Sequence, residues 1–165
     1  VRVPSCIDVC DVAHSIRANA VELSTKRLGF NRHVVAERRL YYDSRKRAER
    51  WTDRAKLDLS GFTLVDCPSR NSKETLDKKI IVDVMDFAWE RYARQASACV
   101  ILISSDGDYS YMLQKLRDRG TKVVVLHDKH TSDVLLAAAN VTLHWIDEVL
   151  SEFLAPPTIP QLQLE

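Results

Sequence analysis

The stretch "VILISSDGDYSYMLQKLRDRGTKVVVL" constrains the fold more than any other part of the chain. Val100 to Ile103 is an apolar, β-branched-rich run that stops abruptly at Ser104, Ser105, Asp106, Gly107 and Asp108, the pattern of a buried strand. Tyr109, Met112, Leu113 and Leu116 then recur at helical spacing, and Gly120 stands where a helix is expected to end. Lys122 to Leu126 reads as a second strand. The unit is strand–helix–strand, with two carboxylates at the carboxyl end of its first strand. Open α/β sheets bind ligands outside such ends.

Asp is a preferred N-cap residue, so either aspartate is accounted for as a cap on the helix that follows. A single acid suffices for that. Two of them, one residue apart across Gly107, hold like charges together and call for a counter-charge. A calcium loop of the EF-hand type is a poor fit, because position twelve counted from Asp106 is Arg117 rather than Glu.

The rest of the chain alternates in the same way. A short strand is expected to end near Ile7, followed by a helix from Val12 to Leu28 that stops at Gly29. A strand near Leu40 to Tyr42 precedes a charged helix over Ser44 to Ser60, with Ala48, Trp51, Ala55 and Leu59 on its apolar stripe. "FTLVDCP" is another strand, and a long helix runs from Glu74 to Arg94 with Leu76, Ile80, Val84 and Phe87 in register. One or two closing helices are expected within "TSDVLLAAANVTLHWIDEVLSEFL". Alternation of this kind predicts a three-layer α/β/α domain with a mostly parallel central sheet. The domain is expected over residues 1–154, with a Pro-rich tail or linker over 155–165.

Composition narrows the function classes. A chain of 165 residues with 45% hydrophobic content suits one globular domain. A net charge of +1 gives no global attraction to nucleic acid, so a binding face must come from local clustering. No apolar run is long enough to span a membrane, and no signal peptide is visible. The chain opens on Val1, as expected of an excised domain or a processed chain. Cys6, Cys10, Cys67 and Cys99 form no zinc-type spacing, and Cys6 and Cys99 lie in strand-like contexts. A reduced, intracellular compartment is expected, whether cytoplasmic, nuclear or organellar, and zinc chemistry is not.

Three further acids stand near element ends. Asp8 follows the first strand and Asp11 opens the first helix. Asp77 lies at i, i+4, i+7 and i+11 with Ile81, Val84 and Ala88, toward the buried side of the long helix. Each also has an ordinary structural reading, since acids are favoured in a helix's first turn. Asp83 borders the apolar stripe beside Ile80 and Phe87, as a hydrogen-bonding acid or a residue behind the site. In a parallel sheet Asp8, Asp77, Asp106 and Asp108 can meet at one end, and such a cluster needs divalent cations. Oxygen-only ligation suits Mg²⁺ or Mn²⁺, which can activate water against a phosphodiester.

"LDKKIIVDVMDFAWE" followed by "VILISSDGDYSYMLQKLRDRGTKVVVL" resembles the NYN-domain family of PIN-like ribonucleases, in its limkain or meiosis-arrest-type branch. The likeness is close over Leu76 to Leu126 and looser at "IDVCD" and "LYYD". It implies a PIN-like fold and a metal-dependent endoribonuclease. Asp8, Asp77, Asp106 and Asp108 match the family's acids as catalytic residues and Mg²⁺ or Mn²⁺ ligands. Asp83 matches a second helix acid. Asp11 stands where the family usually has Asn, and Ser105 where Gly is usual, so Asp11, Asp83, Ser104 and Ser105 are neighbours of the site or possible ligands.

Arg70, Lys73, Lys78 and Lys79 are the basic residues nearest the acids in sequence and are candidates for tracking an RNA backbone, expected to be single-stranded, with Tyr109 as a stacking ring. The charged helix before them reads as a solvated face. The alternative to an enzyme is a catalytically weak NYN domain acting as an RNA-binding or protein-interaction module, which Asp11 and Ser105 favour. A small-molecule phosphotransferase lacks its glycine-rich nucleotide loop here.

Overall fold

The computed structural model describes residues 4, 7–45, 53–68 and 74–154. Expectations for the first strand before Ile7, for Cys6, Arg70 and Lys73, for the start of the charged helix with Ala48 and Trp51, and for the 155–165 tail fall wholly or mainly outside them.

Three strands form one parallel sheet: β3 (Cys99–Ile103), β4 (Lys122–His127) and β5 (Val141–His144), with β4 in the centre. Val100 pairs with Val123 and Ile103 with Leu126. On the other side of β4, Val124 pairs with Val141 and His127 with His144. Val123 to Leu126 are fully buried because a central parallel strand is covered on both faces.

Side-chain alternation sorts these residues into two cores. Val123 and Val125 face Met112, Leu113 and Leu116 of α5 (Ser110–Asp118), Ala88 of α4 (Glu74–Ala93) and Leu135 of α6 (Asp133–Ala137). Val124 and Leu126 face Val12 of α1 (Val9–Ser15), Leu23 and Leu28 of α2 (Val21–Leu28), and Trp145, Val149 and Leu150. The sheet therefore lies between two helical layers. Each fully buried valine or leucine contributes about 1.5–3 kcal/mol on leaving water.

A second parallel sheet pairs β1 (Arg39–Tyr42) with β2 (Thr63–Asp66). It packs with α3 (Arg54–Leu59) through Leu57, Phe62, Leu40 and Leu64, with Ala13 of α1 closing the cluster. All described strand pairings are parallel, as expected of an α/β domain. Among the described residues no helix is long and apolar enough to cross a membrane.

Two sequence expectations are corrected and one is extended. The closing segment holds the expected helices and also a strand: the Asn140 amide donates to the Val123 carbonyl and Asn140 Oδ1 accepts the Val123 amide, both at 2.8 Å, just before β5 begins at Val141. A four-residue strand between helix-forming stretches is too short to impose its own period. The first helix is interrupted by a π-turn over Ile16–Ala20. In α3, Ala55 is exposed and Leu59 is 88% exposed, whereas Leu57 is buried. The helix starts at its cap Asp53, and packing of Leu57 with Phe62 sets its phase.

α5 ends as the sequence expects. Gly120 has φ 82°, and the Thr121 amide closes back on the Leu116 carbonyl at 3.0 Å. Glycine adopts that left-handed conformation at little cost.

Candidate acidic site

The chain leaves β3 at Ile103 and turns through Ser104 to Asp108 before α5 begins. Ser104 Oγ accepts the Asp106 amide at 3.1 Å, and Asp106 Oδ1 accepts the Asp108 amide at 3.0 Å. Asp106 thus caps the 3₁₀ turn Gly107–Tyr109. The cap uses one oxygen of Asp106 and leaves the Asp108 carboxylate out of it. Both acids are exposed.

A second loop holds this turn in place. Ser105 Oγ accepts the Asp128 amide at 3.1 Å, which ties the end of β3 to the end of β4. Ser105 therefore uses its hydroxyl as a strap between the two loops. At Gly107 an added Cβ would lie 2.9 Å from Ser132 Oγ and 3.1 Å from Ser132 Cβ, so only glycine fits there unless Ser132 shifts.

Tyr109 joins the loop to α4. Its side chain is buried among Met112, Leu113 and Ala88, and its hydroxyl donates to Asp77 Oδ1 at 2.5 Å. Burial pushes the phenol well above its ordinary value, helped by the Asp77 hydrogen bond and by the charges of Asp77, Asp106 and Asp108. The phenol stays protonated and acts as a donor. Of these three acids only Asp77 bonds the hydroxyl; Asp106 and Asp108 act on it through their charges alone. Tyr109 is only 3% exposed, so its ring is core and not a stacking surface; this corrects the sequence expectation.

Asp8 has other partners. It is the N-cap of α1, accepting the Cys10 amide at 2.9 Å, while Asp11 Oδ2 accepts the Asp8 amide at 3.4 Å. The two acids form a capping box, with Asp in the place where Glu is usual. Lys56 Nζ lies 3.3 Å from Asp8 Oδ2. The Cys10 hydrogen bonds and then Lys56 hold the Asp8 carboxyl below its ordinary value, and Asp8 in turn raises the Lys56 ammonium. Lys56 is the member of this group that sequence reasoning missed. It stands 48 residues from Asp8, so no local spacing could reveal it.

Asp83 is occupied structurally. Its Oδ2 accepts the Tyr41 hydroxyl at 2.8 Å and pairs with Arg39 Nη1 at 2.9 Å, which fastens β1 to α4. Burial and then Asp83 push the Tyr41 phenol up to about 12. Lys78 and Lys79 are exposed, and Lys79 Nζ donates to the Asp66 carbonyl at the end of β2 at 2.6 Å.

Among the described residues, no three His, Cys, Asp or Glu side chains are close enough to hold one metal ion. The donor type nevertheless suits Mg²⁺ or Mn²⁺, since Asp77, Asp106 and Asp108 offer only carboxylate oxygens. Mg²⁺ keeps several waters and is usually held by one or two carboxylates together with substrate phosphates. Asp77 Oδ2 and Asp106 Oδ2 take part in none of the bonds just described.

A model of the NYN domain matches residues 4–147. The fold is similar to the crystal structure of a protein of unknown function from Vibrio parahaemolyticus, with a TM-score of 0.59 at 20% identity, covering 82% of this chain and 76% of that one. Comparison with curated proteins finds no match. The family match spans both sheets and every acid discussed above, and this chain accordingly belongs to the NYN domain family of PIN-like nucleases.

Proposed function

We propose that the chain is a metal-dependent endoribonuclease domain. The observation that supports this reading is the bond from Tyr109 to Asp77, which ties α4 to the turn after β3 that carries Asp106 and Asp108, in a chain of the NYN family. Asp8 belongs to the site as the family's first acid. PIN-like nuclease domains typically use divalent metals, and Mg²⁺ or Mn²⁺ fits carboxylate-only donors.

Asp77, Asp106 and Asp108, with Asp8, would hold the cation. When bound, it supplies an activated water and offsets charge on the scissile phosphate. The chain's own residues do the positioning. Tyr109 fixes the carboxylate plane of Asp77. Ser104 and Ser105 hold the loop that presents Asp106 and Asp108. Lys78 and Lys79, on the first turns of α4, offer positive charge to an RNA backbone, a role that Arg70 and Lys73 share in this proposal.

One observation favours a second reading, a catalytically weak module that binds RNA or protein. Asp8 already serves a capping box and an ion pair with Lys56, so a cation must compete for it. Incubation of the purified protein with labelled single-stranded RNA in Mn²⁺, Mg²⁺ or EDTA tests the choice. The nuclease reading expects internal cleavage in Mn²⁺ or Mg²⁺ and none in EDTA. RNA binding without cleavage in any of the three supports the module.

A further inference from the structure

The outer faces of α4 and α5 carry large rings that no core uses. Tyr111 is 72% exposed, Trp89 56% and Tyr92 57%. Isolated surface hydrophobes are ordinary. These are not isolated. Lys115 Nζ stands 5.4 Å from the centre of the Tyr111 ring, and the Arg119 guanidinium stands 5.4 Å from the centre of the Trp89 ring. The Trp89 and Tyr92 rings lie 6.0 Å apart.

The placement follows from helix geometry. Tyr111 and Lys115 share one side of α5 at i and i+4, and Arg119, the C-cap residue at i+8, continues that side. Arg119 then passes the stripe to Trp89 on α4. The two helices begin together, where Asp77 meets Tyr109, and lie together again where Trp89 meets Arg119. At 1.5 Å per residue, the stripe runs about 12 Å from Tyr111 to Arg119. Its near end is three residues beyond Asp108.

Charge selects the occupant. Residues 86–94 and 110–119 carry five cations (Arg91, Arg94, Lys115, Arg117 and Arg119) against three carboxylates (Asp86, Glu90 and Asp118). Glu90 pairs with Arg94 at 2.6 Å and Asp118 with Lys115 at 3.8 Å, and outside these pairs Arg91, Arg117 and Arg119 stand against Asp86. Exposed rings with cations set against them form a surface suited to single-stranded nucleic acid, where bases stack and phosphates pair.

We infer that the stripe from Tyr111 through Lys115, Arg119 and Trp89 to Tyr92 is a track for single-stranded RNA extending from the acid site. Bases stack on Tyr111 and Trp89, and Lys115 and Arg119 meet phosphates. The inference rests on RNA being the substrate, as proposed above.

The test is the anisotropy of fluorescein-labelled oligouridine with the protein in EDTA, where metal-dependent cleavage is silent. Trp89→Ala and Tyr111→Ala are each expected to weaken binding about fivefold or more, and Trp89→Phe to retain most of it. Lys115→Gln with Arg119→Gln is expected to lower the salt slope by about 1.4. Because all four side chains are on the surface, unchanged melting temperatures are expected to accompany these losses. Wild-type binding that none of the variants alters overturns the track and leaves the nuclease proposal intact. A wild type that neither binds nor cleaves RNA removes both. Self-association lost in Trp89→Ala, with RNA affinity unchanged, replaces the track with a protein interface.

Discussion

The Tyr109 hydroxyl donates to Asp77 Oδ1 at 2.5 Å, linking the turn after β3 to the first turns of α4. A buried phenol whose ionisation is suppressed donates to the carboxylate here, so it holds one oxygen of Asp77. Tyr109→Phe removes that donor and little volume. Loss of a hydrogen bond to a charged group costs about 1.5–3 kcal/mol, read as a lower denaturation midpoint. Residues that orient metal ligands typically change affinity or activity 10- to 100-fold, and Tyr109→Phe is expected to lower cleavage at limiting Mn²⁺ by about that factor. Cleavage at saturating Mn²⁺ is expected to recover in part.

The Asp8–Lys56 pair sets a pH dependence. The folded value of Asp8 lies below its ordinary 3.8, so its contribution to stability is present above 3.8 and fades as pH falls through the folded value. Lys56 is raised above its ordinary 10.5, so its contribution is present below 10.5 and is lost as pH rises through the folded value. In Lys56→Met, an NMR titration of the Asp8 carboxyl is expected to show its midpoint moving up toward 3.8. The same variant removes the ammonium that competes for Asp8 and is expected to tighten Mn²⁺ binding a few-fold by calorimetry. Unchanged Mn²⁺ affinity separates Asp8 from the metal site.

The turn before α5 depends on Gly107. Gly107→Ala drives a Cβ to 2.9 Å from Ser132 Oγ and is expected to cost about 1–3 kcal/mol by overpacking. Adding Ser132→Gly removes the obstructing side chain and is expected to restore most of the loss. Thermal melts of the single and double variants check this.

The strand–helix–strand unit from Val100 to Leu126 was legible because β4 is buried on both faces and α5 on one, so period and burial coincide. The place of Asp77 on the helix was legible for a similar reason, since it shares the core-facing side of α4 with Ile81, Val84 and Ala88. β5 was hidden because its pairing depends on Asn140 meeting Val123, a contact outside any local pattern. The Tyr109 ring was misread because aromatic character does not tell a core ring from an exposed one. Tyr111, two residues on, is the exposed one. The Lys56 contact with Asp8 depends on how α1 and α3 meet, which spacing does not encode.

The most direct measurement of the central claim is cleavage of labelled single-stranded RNA by Asp106→Asn and Asp77→Asn beside wild type, in Mn²⁺ and in EDTA. Asn keeps the shape of Asp and removes the charge that holds a cation. Wild type is expected to cleave internally in Mn²⁺ alone, and both variants to remain folded and lose that cleavage. Cleavage that persists at the wild-type rate in both variants contradicts the account.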